Sequence, residues 1–442
     1  MKYRQKIDEK IYKEIKQIII IRSNNLSSEN WYKVDNVAKV FLATHNERDT
    51  RSLRVSCTLK EPVNPDLLQE ALITTIKRRP LFQVRIRRGL FWHYLETTDV
   101  MPKVAEEHQR PCPVLYGKNY TGTLHYSVTY FHNRINVELF HALSDGTGAL
   151  EFLNILVQNY LRLKYPNEMK NVTIGLGASA DDLAQDSFKK FYTKNAKAAP
   201  SVKKSYHIHG RKLPYDQLQF FEVSMPSKDL LALSKQYQVS LSSLIGAKLM
   251  MAIYDDMSVL KRKQPVTISM PVNLRNYYPS ETSRNFFNNI SISHIFTGDE
   301  TLESLAKEYD AKLKNILQPE QIRRQMDYYQ LLEHIFFIRM VPLFIKQPVV
   351  KFFSKKENKR VSAVISNLGV MNIPTEMQQY VEKYSAFCSH NELFMTICSY
   401  QDEMTLGITS GYRNTGVLKN FVRSFSKEGI PVQVQATEVV KS

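Results

Sequence analysis

The sequence predicts an α/β fold with mixed sheets, built as two domains of similar size. Three observations carry this. The chain has 442 residues, more than one hydrophobic core usually organises. Strand, helix and strand patterns recur in both halves. Between the halves, residues 167–216 lose their periodicity and become rich in Lys, Ala, Gly, Asp and Ser, the composition of a crossover. The expected divisions are a charged N-terminal extension at 1–30, a first domain at 31–170, a linker at 171–216 and a second domain at 217–442.

In the first half, Arg54 to Leu59 alternates as a strand. Asn64 and Pro65 supply a cap and a first helical residue for a helix with Leu68, Ala71, Leu72, Thr75 and Ile76 on one face, ended by Pro80. Leu81–Ile86 and Leu90–Leu95 read as a strand pair joined through Gly89, and Tyr126–Tyr130 pairs with Arg134–Phe140. An apolar-periodic helix then runs from about Gly148 and stops before Pro166. The linker is too long to be structureless, so a short helix is expected around Asp182–Tyr192. The second half restarts with a strand at Phe220–Val223 and helices from Ser227 and Ser240. Strands follow at Val266–Met270 and Ile290–Phe296, then a long helical region at 301–352 and a strand at Val361–Ser366. A hairpin (Leu393–Ser399, Met404–Ile408) and a helix at Val417–Ser426 close the chain.

Composition excludes several classes. Hydrophobic residues make up 43% and aromatics 11%, enough for packed cores and against extensive disorder. Four cysteines (Cys57, Cys112, Cys388, Cys398) are scattered without a CxxC pair or a His at metal spacing. That fits reduced thiols in a cytoplasmic protein, with no metal site. The only apolar run near the start, Ile18–Ile21, is too short for a signal peptide. The formal net charge of +17 suits nucleic acid, an anionic membrane or a polyanionic small molecule, as well as plain solubility. No nucleic-acid-binding module accompanies it, so no nucleic-acid partner is expected.

One stretch concentrates chemistry. His141-Ala142-Leu143-Ser144-Asp145-Gly146 directly follows the strand ending at Phe140 and precedes the helix. A strand end running through a tight loop into a helix can hold a side chain rigidly at a cleft. An imidazole there can act as a base near neutral pH, with Gly146 permitting the turn. An ordinary loop histidine beside an Asp-Gly turn accounts for the same residues.

Two further stretches accompany it: Met270-Pro271-Val272-Asn273-Leu274-Arg275-Asn276, followed by Arg284-Asn285-Phe286, and Ile365-Ser366-Asn367-Leu368-Gly369, both at strand ends. Together these resemble the acyl-CoA-dependent acyltransferase superfamily, which includes chloramphenicol acetyltransferase, the plant BAHD enzymes and the condensation domains of peptide synthetases. Trp31 to Asn36, Arg88 to Trp92 and Phe140 to Phe152 most resemble its bacterial alcohol acetyltransferases. The resemblance spans roughly residues 30–435 in order. It implies a pseudo-dimer of two chloramphenicol-acetyltransferase-like domains with an active-site tunnel between them. His141 would deprotonate an alcohol or amine acceptor, which attacks the thioester of acyl-CoA as co-substrate, with no permanently bound cofactor. Asp145 would face away from substrate and pair with Arg275. The oxyanion needs a donor, and Ser366, Asn367 and Thr396 are hydroxyl or amide side chains at strand ends, although a simple turn explains Ser366 to Gly369 equally well. Phe140 occupies the place where wax-ester synthases carry a second histidine, which argues against that branch.

The resemblance leaves alternatives. One is a condensation-type enzyme using a carrier-protein thioester; another is a non-catalytic, membrane-associated adaptor with the same fold. The chain is expected to act as a monomer. The apolar stretch Ile335 to Ile345 reads either as a peripheral contact with the inner membrane face, or the lining of a greasy acceptor pocket, or as a buried core helix broken at Pro342. The basic cluster Lys351 to Arg360 reads as a solvated loop.

Overall fold

The computed structural model describes residues 31–120, 122–172, 180–193, 204–214, 217–334, 341–390 and 392–437. The extension expected at 1–30 and most of the apolar stretch beginning at Ile335 lie outside the described residues. The first half runs β1 (Trp31–Lys33), α1 (Asn36–Thr44), β2 (Ser52–Leu59), α2 (Pro65–Arg78), β3 (Val84–Arg88), β4 (His93–Thr97), β5 (Val104–Glu106), β6 (Tyr126–Phe131), β7 (Arg134–Phe140) and α3 (Gly146–Lys164). Short helices α4 (Ala180–Ala184) and α5 (Ser187–Phe191) follow in the linker. The second half contains β8 (Gln219–Pro226), α6 (Ser227–Gln236), α7 (Leu241–Asp256), β9 (Val266–Asn273), β10 (Phe287–His294), α8 (Leu302–Ile316), α9 (Pro319–His334) and α10 (Leu343–Asn358). It ends with β11 (Ala363–Val370), α11 (Thr375–Gln378), β12 (Val381–Cys388), β13 (Leu393–Tyr400), β14 (Glu403–Ser410), α12 (Gly416–Ser426) and β15 (Gln433–Ala436).

The strands form three sheets: β12-β2-β7-β6-β5, the seven-stranded β10-β9-β11-β13-β14-β8-β15, and a small β1-β4-β3. Pairings are mixed, with β5–β6, β11–β13 and β11–β9 parallel and the others antiparallel. The fold is therefore α/β with mixed sheets, one large sheet to each half. The strand β12, although within residues 217–442, is built into the first sheet against β2.

Helix α2 shows how directly local sequence acts here. The Asn64 side chain accepts from the backbone N–H of Asp66 and Leu67, and Pro65 stands where no N–H is needed. The residues it buries are Leu68, Ala71, Leu72, Thr75 and Ile76. They pack on α3, whose Leu153, Leu156, Val157 and Tyr160 are likewise buried, and each large apolar side chain contributes roughly 1.5–3 kcal/mol.

Several boundaries differ from expectation. Pro80 fixes φ and opens a 3₁₀ turn over Pro80–Phe82, so the strand expected from Leu81 begins at Val84. The linker helix is two helices separated at Asp186, which stands at the N-cap of α5. Strand β9 continues past Met270 through Pro271, tolerated because β11 pairs only with Ile268 and Ser269 and has diverged by then. The basic cluster at Lys351–Asn358 is the end of α10 rather than a loop. Of the three readings of the apolar stretch, the buried core helix does not hold beyond Pro342: Phe344 and Ile345 in the first turn of α10 are exposed.

Candidate active site

Alternating residues of several strands line one cavity of about 1190 Å³. They include Leu53 and Val55 of β2, Ser269, Pro271 and Asn273 of β9, Phe287, Asn289 and Ser291 of β10, and Val364, Ser366 and Leu368 of β11. On β9 and β10 the two-residue period is that of side chains on one face of a strand, while on β2 and β11 the intervening Arg54 and Asn367 also border the cavity. The cavity is therefore walled by both large sheets, and His141 lies in it between them.

His141 is half-buried at the end of β7. Its backbone N–H donates to the Arg51 carbonyl at 2.8 Å, and its ring packs against Phe41 (centroids 4.3 Å apart). Arg51 holds a left-handed backbone, φ 52°, an uncommon conformation for a side-chain-bearing residue. Burial, the largest influence, holds the His141 pKa below its ordinary value despite the opposing Asp145 charge and the Asn285 hydrogen bond. The imidazole is thus neutral at physiological pH.

Its tautomer follows from Asn285. The Asn285 amide nitrogen donates to the His141 carbonyl at 3.0 Å and to the Asp35 carboxylate at 3.3 Å. With Nδ2 so committed, the Oδ1 that meets His141 Nδ1 at 3.1 Å must be an acceptor. Nδ1 therefore carries the proton, and Nε2 keeps its lone pair. No described residue occupies Nε2. Asp35 in turn caps α1, accepting from Ala38 N–H at 2.7 Å, and faces Arg284 at 3.7 Å; burial pushes its carboxyl upward against that positive neighbour.

The structure brings Asp145 and Arg275 together. Arg275 Nη1 donates to Asp145 Oδ2 at 2.8 Å and Nη2 to Oδ1 at 3.3 Å. Asp145 also caps α3 through Gly148 N–H (3.0 Å) and accepts from Phe286 N–H (2.9 Å). Arg275 further donates to the Thr282 and Arg284 carbonyls. The Asp145 carboxylate is thereby occupied on every side, which leaves it no acid–base work. The segment from Arg275 to Phe286, between β9 and β10, clamps the His141 loop: the Ser144 hydroxyl also donates to the Ser283 carbonyl.

Gly146 differs from its expected role. It opens α3 without a positive φ, and an added Cβ would meet the flexible end of Leu368 at 2.7 Å. The tighter requirement sits at Gly148, where a Cβ would come within 2.6 Å of the Ser283 backbone oxygen. Glycine there lets the clamp close.

Among the oxyanion candidates, Asn367 is committed: its amide donates to Ser242 Oγ at 3.0 Å and its oxygen accepts from Gly369 N–H at 2.8 Å. Thr396 donates to the carbonyls of Ala386 and Gly407. Ser366 lines the cavity with no partner for its hydroxyl among the described residues. His390 was not anticipated. It lines the same cavity, and its Nδ1 accepts from Glu392 N–H at 3.2 Å, so a neutral His390 ring carries its proton on Nε2; burial holds its pKa low. Arg324, Lys356 and Arg360 also reach the cavity. Among the described residues, no cluster of His, Cys, Asp or Glu is arranged to hold a metal ion, and all four cysteines are buried and unpaired.

No protein-family model and no curated protein sequence matches this chain. Solved structures do. TRI101 of F. sporotrichioides, in complex with coenzyme A and T-2, superposes with a TM-score of 0.61 at 11% identity, covering 92% of this chain and 100% of that one. The chain has the fold of these proteins. Polyketide synthase associated protein 5 of Mycobacterium tuberculosis matches with a TM-score of 0.57 at 13% identity over 89% and 96% of the two chains. The starter condensation domain of rhizomide synthetase, in complex with C8-CoA and Leu-SNAC, matches with a TM-score of 0.57 at 11% identity over 89% and 93%. At these identities the likeness is one of fold.

Proposed function

We propose that this protein transfers an acyl group from acyl-CoA to the hydroxyl or amine of an acceptor, with His141 as general base. The observation that carries the reading is the unoccupied Nε2 of a neutral His141, its tautomer set by Asn285, on a cavity walled by both sheets. An alcohol is a poor nucleophile until its proton leaves during attack. Nε2 takes that proton as the acceptor oxygen or nitrogen bonds to the thioester carbonyl. The tetrahedral oxyanion needs a donor, and the Ser366 hydroxyl is the side chain available. Collapse breaks the carbon–sulfur bond, and the imidazolium returns its proton to the departing thiolate. Asp145 and Arg275 act as positioning residues. Arg324, Lys356 and Arg360 supply positive charge suited to the phosphates of CoA. The similarity to CoA-bound TRI101 favours this donor.

Mass spectrometry of reactions pairing acyl-CoA donors with pooled alcohols and amines tests the reading. It expects a product heavier than one acceptor by one acyl group, together with free CoA; no product from any pair overturns it. The similarity to a condensation domain favours a second reading, a carrier-protein thioester as donor. Turnover with free acetyl-CoA decides against that alternative.

The pH profile reports on Asn285. Because burial depresses the His141 pKa, the base is competent at neutral pH, and activity falls only on the acid side, below the ordinary histidine value near 6.5. The Asn285 bond raises that pKa, so Asn285→Leu moves the acid limb further down while lowering the plateau, about ten-fold or more. An unchanged plateau and limb would remove Asn285 from the positioning network.

A further inference from the structure

Helix α10 is turned apolar side out. Leu343, Lys346, Gln347, Val350 and Ser354, spaced as one helical face, are the buried or half-buried positions toward the protein. The opposite face carries Phe344, Ile345, Val349, Phe352 and Phe353, which are 63, 48, 49, 67 and 57% exposed. Ordinary surface helices show the reverse. The helix is held this way by packing on α1 and by two bonds to the β3–β4 turn: Leu343 N–H to the Leu90 carbonyl (2.9 Å) and Lys346 Nζ to the Phe91 carbonyl (3.1 Å). That turn adds exposed Leu90 and Trp92. Exposed Lys351 flanks the stripe and exposed Lys355 and Lys359 stand beyond it, with Glu357 the lone carboxylate of the helix.

We infer that this face docks on an anionic lipid bilayer. A continuous apolar stripe bordered by lysines is the arrangement of a helix lying in a membrane interface, and the positive charge complements anionic headgroups. Sixteen residues extend about 24 Å, suited to lying in the interface; no helix of the described residues is long and apolar enough to cross a membrane. Phe353 belongs to the exposed stripe and also lines the cavity that holds His141. A lipophilic alcohol or amine dissolved in the bilayer therefore meets the edge of the cavity at Phe353. The acceptor class rests on the acyl-transfer reading, whereas the docking does not.

Sedimentation of the full chain with sucrose-loaded vesicles of phosphatidylcholine, with and without phosphatidylglycerol, tests the docking. The protein is expected to pellet with the anionic vesicles and to stay bound in part at about 0.5 M salt, where charge is screened. The double variant Phe344→Ser/Phe352→Ser partitions about ten-fold more weakly while its melting temperature and its turnover of a water-soluble acceptor are unchanged. His141→Ala pellets like the wild type, so loss of chemistry and loss of docking are told apart. Wild-type protein left in the supernatant, equal binding by the double variant, or complete release by salt overturns the proposal. So does binding that appears only after residues 1–30 are removed, or a dimer in sedimentation equilibrium that the double substitution dissolves, since either assigns the face to another occupant.

Discussion

His141→Ala lowers acyl transfer, read as CoA thiol release, by about a hundred- to ten-thousand-fold, the usual worth of a positioned general base. The substitution leaves the fold in place: the ring's hydrogen bond to a side chain is the one to Asn285, and its backbone N–H bond to Arg51 is untouched. KM for the donor changes little, because the ring acts on a proton that moves only in the transition state. A variant retaining wild-type turnover with an unchanged melting temperature sinks the base role.

Arg275→Ala costs about 3–5 kcal/mol in denaturant unfolding, because it strands a buried carboxylate. Asp145 is 4% exposed and would keep only the backbone donors Gly148 and Phe286. Activity falls with stability, since the same guanidinium holds the carbonyls of Thr282 and Arg284 beside Asn285. Arg275→Lys recovers charge but not the two-pronged geometry, and lies between. Asp145→Asn keeps a competent helix cap and loses less than Asp145→Ala. In a double-mutant cycle the two alanine substitutions are non-additive by about 1–3 kcal/mol; strictly additive costs refute the pair.

What was legible in the sequence was what neighbouring residues decide. The cap and buried face of α2, the strand leading into His141 and the helix after it follow from spacing within some twenty residues. The Asp145–Arg275 pair, 130 residues apart, came from the resemblance alone, as no periodicity links the two positions. Asn285 stood in view beside Arg284 yet gave no signal, because an amide acquires its role only from the three groups it meets. Hydrophobic content leaves open whether the residues after Pro342 are core; it registers which side chains are apolar, not which side of α10 they take. Asp-Gly usually makes a turn, so the sequence reads Gly146 as a turn glycine, whereas Asp145 caps a helix.

The crossing of β12 into the first sheet has a consequence for synthesis. Ser52–Leu59 must pair on one side with β7 and on the other with Val381–Cys388, some three hundred residues later in the chain. While the ribosome builds the second half, β2 waits with an open edge, the kind of surface that recruits foreign strands. The first half is therefore unfinished until nearly the whole polypeptide has emerged. Closing so distant a contact makes maturation slow, and an early truncation anywhere before Val381 leaves the His141 sheet one strand short.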